Sequence, residues 1–301
     1  MPADKLNLLA FQLTSSPDID DNFAQLDAHL HQLMGPQNSD DETFEPNWPS
    51  LVVLPEGFAL FGGHSGLNLK NQEVLGDGPI QARLSAMAKK YRVWLAGGTI
   101  ATVSHRSDQF FSTLTVFDSQ GQLIADYQKI HLFDADVADG TGAYRESDTT
   151  VPGNRVVVFD LQGITVGLAV CYDVRFPGLF SALRASGAQI CLLPSAFTQR
   201  TGRPHWETLI KARAIENQLY MVAPAQDGIH ANGRETYGHS LIVDPWGDVL
   251  ADAGTGTTLI RIVYEQKILN QVRQDMPVKQ HDRFIAELNS RFIDPKQRAN
   301  E

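Results

Sequence analysis

A chain of 301 residues with 43% hydrophobic and 20% charged side chains can bury a full core, which excludes an intrinsically disordered protein. Its net charge of -10, with no long basic run, argues against nucleic acid and anionic membrane surfaces as partners. Two cysteines are too few for a disulfide scaffold. No apolar run reaches the roughly 18–20 residues that span a bilayer, and the first residues carry no signal pattern. The expectation is a cytoplasmic protein with one domain over 1–301, its core at about 5–265 and a tail at 266–301.

Residues 6–13 read as a first strand. A turn at 17–20 then opens a helix with Phe23, Leu26, Leu30, Leu33 and Met34 on one face, stopped by Gly35-Pro36. Residues 37–49 are polar and acidic and predict a surface loop, after which the buried strand 50–55 delivers Glu56 at its end. Residues 57–76, rich in Gly and Asn, predict a long irregular segment of the kind that tends to carry function. A helix with Ile80, Leu84, Met87, Ala88 and Tyr91 in register leads to a strand at 93–100. The stretches 110–118 and 123–127 form a hairpin pattern, Lys129 follows its second strand, and a long loop over 132–153 contains Glu146. Beyond it come a hairpin (156–159 and 164–170), a helix at 179–185 opened by Pro177, a buried strand at 188–193 and a helix at 204–220. A strand at 220–223, a hairpin within 237–250, a strand at 258–263 and a helix around 265–274 complete the order. Buried strands joined partly by helices and partly by hairpins predict an α/β fold, with mixed sheets inside and helices outside.

The stretch 163–177 organises the rest. Residues 164–170 are almost wholly apolar, with no polar alternation, so they predict a strand covered on both faces. Apolar character stops at Cys171, and Tyr172, Asp173 and Arg175 follow at once. A thiol at the carboxyl end of a buried strand, on a turn into a helix, sits where open α/β layers put their chemistry. The plainer reading is a buried structural cysteine, and Cys191, midway in an apolar strand, takes that reading.

A thiol nucleophile needs a base and a group to hold the oxyanion it creates. None of the nine histidines forms a recognisable pattern with a cysteine, and His131 and His239 read as structural or substrate-contacting, without an obvious orienting partner. Glu56, directly after Leu-Val-Val-Leu-Pro, is expected to be half buried, the setting in which a carboxylate becomes a useful base. Its alternative is a buried glutamate satisfied by backbone amides or an arginine. Lys129 at a strand end would favour thiolate and stabilise an oxyanion; alternatively it snorkels at the surface. Glu146 alone reads as a solvated charge. No metal-ligand spacing occurs, and neither a metal nor an organic cofactor is called for.

Together, Leu54-Pro55-Glu56, the run Tyr-Gln-Lys-Ile-His-Leu-Phe at 127–133 and the run Cys-Tyr-Asp-Val-Arg-Phe-Pro at 171–177 resemble the three signature blocks of the nitrilase, or carbon–nitrogen hydrolase, superfamily in order and spacing. The resemblance spans about 5 to 283. It implies catalytic roles for Glu56, Lys129 and Cys171, with the family's second glutamate falling on Glu146. It also implies a four-layer α-β-β-α sandwich paired into homodimers through outer helices, and Leu179, Phe180 and Leu183 put the helix 179–185 near that interface. The runs 194–198, 205–207, 213–218, 234–240 and 272–278 are similar to the amidase branch that includes deaminated glutathione amidase and omega-amidase. The implied reaction is thiol-dependent hydrolysis of a small, anionic amide, most simply that of deaminated glutathione. The alternatives are an omega-amidase acting on 2-oxoglutaramate or another small dicarboxylate amide, and, more remotely, a non-catalytic scaffold dimer. Tyr172, Arg175, Phe197 and Thr198 are the expected substrate-binding residues, with Arg200 and Arg203 as further cations; the alternative for Arg175 is a local pair with Asp173.

Overall fold

The computed structural model describes residues 4–33, 44–64, 66–137 and 143–284. In chain order its elements are β1 (Lys5–Gln12), α1 (Ile19–Leu33), β2 (Ser50–Val53), α2 (Leu67–Lys70), α3 (Pro79–Tyr91), β3 (Trp94–Val103), β4 (Phe110–Phe117) and β5 (Leu123–Gln128). There follow β6 (Asp134–Asp136), β7 (Ala143–Arg145), β8 (Val158–Leu161), β9 (Ile164–Leu168), α4 (Pro177–Ala185), β10 (Ile190–Leu192) and α5 (Gln199–Asn217). The last are β11 (Tyr220–Ala223), β12 (Asp227–Ile229), β13 (Glu235–Tyr237), β14 (Leu241–Val243), β15 (Val249–Asp252), β16 (Thr258–Glu265), α6 (Gln266–Asp275) and α7 (Val278–His281).

Two six-stranded sheets carry the architecture, ordered β16-β1-β2-β3-β4-β5 and β15-β14-β11-β10-β9-β8. Both are mixed. In the first, β1, β2 and β3 are parallel and the outer pairs antiparallel; in the second, β9, β10 and β11 are parallel and flanked by antiparallel strands. Strand alternation divides the core. Leu6, Leu8 and Ala10 of β1 join Leu51 and Val53 of β2 in one cluster with Val166, Leu168, Cys191 and Val222 of the second sheet, so the two sheets pack face to face. Their neighbours Leu9, Phe11 and Val52 point the other way, onto Phe23, Leu26 and Leu30 of α1 and Ile80, Leu84 and Met87 of α3. On the far side α4 and α5 contribute Phe180, Leu183, Trp206 and Ile210 to the core. The result is a four-layer α-β-β-α sandwich.

Several boundaries differ from the sequence reading. Helix α5 starts at Gln199, not at Pro204, because Thr198 caps it: the Thr198 side chain accepts from the Thr201 N–H at 3.3 Å, and Pro204 lies inside the helix. The segment 132–153 is not simply a loop, since β6 and β7 pair within it and a short 3₁₀ turn runs Glu146–Asp148. Tyr237 pairs with β12 instead of joining the following hairpin. Met34 and residues 37–43 of the expected acidic loop lie outside the described residues. Leu179, Phe180 and Leu183 are buried in the chain's own core, so α4 spends its apolar face internally and offers no such stripe to a second copy.

Candidate active site

Strand ends converge on one point. Beyond β2, buried Leu54 and Pro55 carry the chain to Glu56. The register of β3 shifts between Ala96 and Thr99, and Gly98 there has φ +66°. A Cβ at Gly98 would lie 2.1 Å from the Pro55 carbonyl oxygen, so only glycine lets the two backbones approach this closely. The Gly57 N–H donates to Thr99 Oγ1 at 2.9 Å, which completes the anchor beside Glu56.

Lys129 follows β5 directly, and its backbone is tied at both groups: its N–H donates to Ser112 O and its carbonyl accepts from Gly153 N. Its Nζ donates to Glu56 Oε1 at 2.7 Å and to Glu146 Oε2 and Oε1 at 2.8 and 3.0 Å. The lysine side chain is 2% exposed, against 12% for Glu56 and 21% for Glu146. Glu146 is itself held by the Phe133 N–H, 2.6 Å from Oε2. Burial alone would lower the Lys129 pKa, but the charges of Glu146, Glu56 and Cys171 reverse that and hold it well above the ordinary lysine range. Burial, reinforced by the like charge of Glu56, raises the Glu146 carboxyl even though Lys129 opposes it. One ammonium between two carboxylates therefore stays charged and rigid.

Cys171 stands at the first residue of a 3₁₀ turn, Cys171–Arg175, with φ 46°, a left-handed conformation that an L-residue occupies only when its surroundings impose it. Its N–H donates to Pro194 O at 2.9 Å. Cys171 lines one cleft with Glu56, Lys129 and Ala196. Burial first, and then the Glu56 charge, push its pKa up, which favours the thiol over the thiolate and calls for a base at the moment of attack. Glu56 is the carboxylate on the same cleft wall that is fixed by Lys129. A thiol, a neighbouring carboxylate and a fixed ammonium can together generate a thiolate, attack a carbonyl and hold the resulting oxyanion.

Asp173 fixes the turn. It is fully buried, and its Oδ2 accepts from Val170 N at 2.8 Å and Tyr127 Oη at 2.7 Å. Its Oδ1 accepts from His131 N at 3.1 Å and lies 2.7 Å from His131 Nδ1, which must carry its proton toward an acceptor-only carboxylate. The His131 ring stacks on Phe176, 3.7 Å between centroids. Asp173 thus clamps the residue before Cys171 to residues two positions either side of Lys129. The local pairing with Asp173, the alternative reading of Arg175, does not occur, and His131, read from sequence as lacking an obvious orienting partner, has one. Asp173→Asn leaves a donor where donors converge; it is expected to lower kcat by about 10–100-fold through misplacement of Cys171 against Lys129, with KM within about twofold. Steady-state kinetics on the folded variant check this, and a purely structural role would lower the active fraction without that split.

The four groups Glu56, Lys129, Glu146 and Cys171 line a cleft of about 690 Å³, a size suited to a small organic ligand. Tyr172, Arg175, Phe197 and Thr198 line it as well, whereas Arg200 and Arg203 are not among the lining residues. The Arg175 guanidinium lies over Tyr172 and Phe197, 5.8 and 5.3 Å from the ring centroids, with His205 Nδ1 at 3.4 Å. The Thr198 hydroxyl is engaged in capping α5 and in contact with Thr201 Oγ1 at 3.0 Å. Cys191 is fully buried in β10, away from the cleft. Among the described residues no group of three or more His, Cys, Asp or Glu could hold a metal ion, and no helix is long and apolar enough to cross a membrane.

The sequence profile of the carbon-nitrogen hydrolase family matches residues 10–268. The chain belongs to the carbon-nitrogen hydrolase family. The hydrolase is 41% identical to the deaminated glutathione amidase of Yersinia enterocolitica over 97% of its own length and 98% of that protein's. Its fold is that of a Saccharomyces cerevisiae member of branch 10 of the nitrilase superfamily, with a TM-score of 0.81, 30% identity and coverage of 94% of this chain and 98% of that one. It is also similar to an amidase from Nesterenkonia sp. AN1 whose active-site cysteine carries a Michael adduct of acrylamide, with a TM-score of 0.70, 25% identity and coverage of 93% and 98%. The superfamily and sandwich expected from the three blocks are therefore correct, and this hydrolase acts on amide carbon–nitrogen bonds.

Proposed function

We propose that the hydrolase cleaves the amide of deaminated glutathione, releasing 2-oxoglutarate and cysteinylglycine, with Cys171 as nucleophile. The observation that carries the catalytic reading is the buried Lys129 ammonium, held by Glu56 at 2.7 Å and Glu146 at 2.8 Å in the cleft that Cys171 also lines. Glu56 takes the thiol proton as sulfur attacks the carbonyl. The oxyanion forms against Lys129 and the Tyr172 backbone N–H. Glu56 returns the proton to the leaving nitrogen, the amine departs and a thioester is left on Cys171. Water deprotonated by Glu56 attacks the thioester; the carboxylic acid leaves and the thiol is restored. Glu146 fixes Lys129 from the other side and faces the cleft, where it orients the amide or the water.

The substrate reading is supported by the relatives that carry this name and by the cleft. A leaving group that is a peptide amine needs room, which about 690 Å³ supplies. Anionic ends need cations, and Arg175, free of any ion pair among the described residues, lies along the wall with Tyr172, Phe197 and Thr198. The discriminating experiment compares kcat/KM for deaminated glutathione with that for 2-oxoglutaramate. A ratio above one is expected; a ratio below one moves the assignment to an omega-amidase and leaves the roles of Glu56, Lys129 and Cys171 untouched.

A further inference from the structure

The catalytic end of the cleft is dominated by negative charge, because Glu56 and Glu146 share the single ammonium of Lys129. An anionic substrate enters that end only if cations elsewhere in the cleft compensate it. Three arginines line the cleft besides the catalytic groups: Arg145, Arg175 and Arg234. Arg145 is already neutralised by Asp136 at 2.6 Å. Arg175 and Arg234 make no ion pair among the described residues. Arg234 comes from a separate element, the connection between β12 and β13, and the sequence reading did not assign it.

Its surroundings are built. The guanidinium lies between two aromatic faces, 5.0 Å from the Phe61 centroid and 5.2 Å from that of Tyr144. Its Nη2 donates to Ala196 O at 2.6 Å, its buried Nε finds no acceptor, and Nη1 has no protein partner among the described residues. Beside it, His230 is held by Ser15 O and Thr236 Oγ1, and its pKa is lowered by burial, with the nearby Arg234 charge adding to that. So the hairpin keeps one cation and excludes a second. A guanidinium that is sandwiched, oriented and still short of acceptors is arranged for a planar anion arriving from the cleft.

Ala196 supplies the position along the substrate. It lines the same cleft as Cys171 and its carbonyl receives Arg234, so the arginine is anchored on the wall that the nucleophile shares. An acyl group bound to Cys171 would extend its terminal carboxylate along that wall, where Nη1 is open to it. We infer that Arg234 is a specificity-determining residue of this hydrolase, which holds the carboxylate at the far end of the substrate's acyl chain. This rests on the proposed reading of an acidic acyl group and adds the residue that selects it.

The test measures kcat/KM of wild type and Arg234→Gln on glutaramate and on pentanamide, two amides of equal chain length that end in a carboxylate and a methyl group. Wild type is expected to prefer glutaramate. Arg234→Gln should lower that preference by about 10–100-fold, mainly through KM, as loss of a charge-assisted contact does. Equal losses on both amides would mean that Arg234 only tethers Ala196, and an unchanged preference would mean that it does not meet the carboxylate; either overturns the inference. If wild type turns over neither amide, the failure lies with the catalytic reading. Calorimetric binding of glutarate against pentanoate to the same two proteins then decides on Arg234: the same loss of preference supports it, and none refutes it.

Discussion

Replacing Cys171 with alanine is expected to lower kcat by at least about 10³-fold, the scale on which loss of a covalent nucleophile acts, while the fold is retained. The chain offers only two thiols, and their surroundings separate them. Cys171 adopts a left-handed conformation at the start of its turn and lines the cleft with Glu56. Cys191 is in the middle of a parallel strand, 0% exposed, its sulfur meeting only Leu192 O at 3.7 Å. Cys191→Ala removes a small apolar group from a packed sheet and is expected to keep activity. Steady-state kinetics on both variants, with circular dichroism to confirm folding, measure the contrast. Stoichiometric alkylation that inactivates the enzyme should mark Cys171 and spare Cys191.

The second large effect belongs to Lys129. Lys129→Met is expected to lower kcat by about 10²–10³-fold, the size seen on removal of one oxyanion-stabilising donor, with a much smaller change in KM. The same change should cost stability. Without the ammonium, Glu56 and Glu146 lose the charge they share in a largely buried site, and an uncompensated buried charge costs up to about 3–5 kcal/mol. The two consequences are separable. Adding Glu146→Gln to Lys129→Met removes one of the two carboxylates, so part of the lost stability should return while kcat stays low. Denaturant unfolding and steady-state kinetics on the single and double variants report both. A Lys129→Met enzyme with normal kcat and only a weakened KM would show that the lysine binds ground-state substrate instead.

Much of the fold was legible because its central strands are buried on both faces. β2 and β9 read as almost wholly apolar runs, and each delivers its chain to a strand end where a polar or reactive residue stands out. Glu56 and Cys171 were visible for that reason; Lys129, which follows Asp126 and Gln128 on the partly exposed β5, stood out through its strand-end position and its sequence block. Glu146 was weaker, since nothing in Tyr-Arg-Glu-Ser announces that a 3₁₀ turn and the Phe133 N–H will aim it at Lys129. Asp173 and Arg234 illustrate what local sequence conceals. Asp173 looked like a partner for Arg175 two positions away, but its bonds go to Tyr127 and His131, more than 40 positions distant in the chain. Arg234 was noted only as part of the run 234–240, without a role, and only tertiary packing seats it between Phe61 and Tyr144 at the cleft. Conversely, Arg200 and Arg203 stood out as cations in the donor-rich segment 198–204, yet on α5 they are not among the residues that line the cleft. The start of α5 was missed because Pro204 is a strong signal and the Thr198 cap a subtle one.

In the proposed reaction the acyl group of the substrate passes through a thioester on Cys171. Mixing the enzyme with excess deaminated glutathione, quenching in acid within the first turnover and mapping the peptides by mass tests it directly. A 2-oxoglutaryl adduct is expected on the peptide that contains Cys171, formed with the release of cysteinylglycine and lost as 2-oxoglutarate accumulates. An adduct on Cys191, or full turnover by an enzyme whose Cys171 has been replaced by alanine, would contradict it.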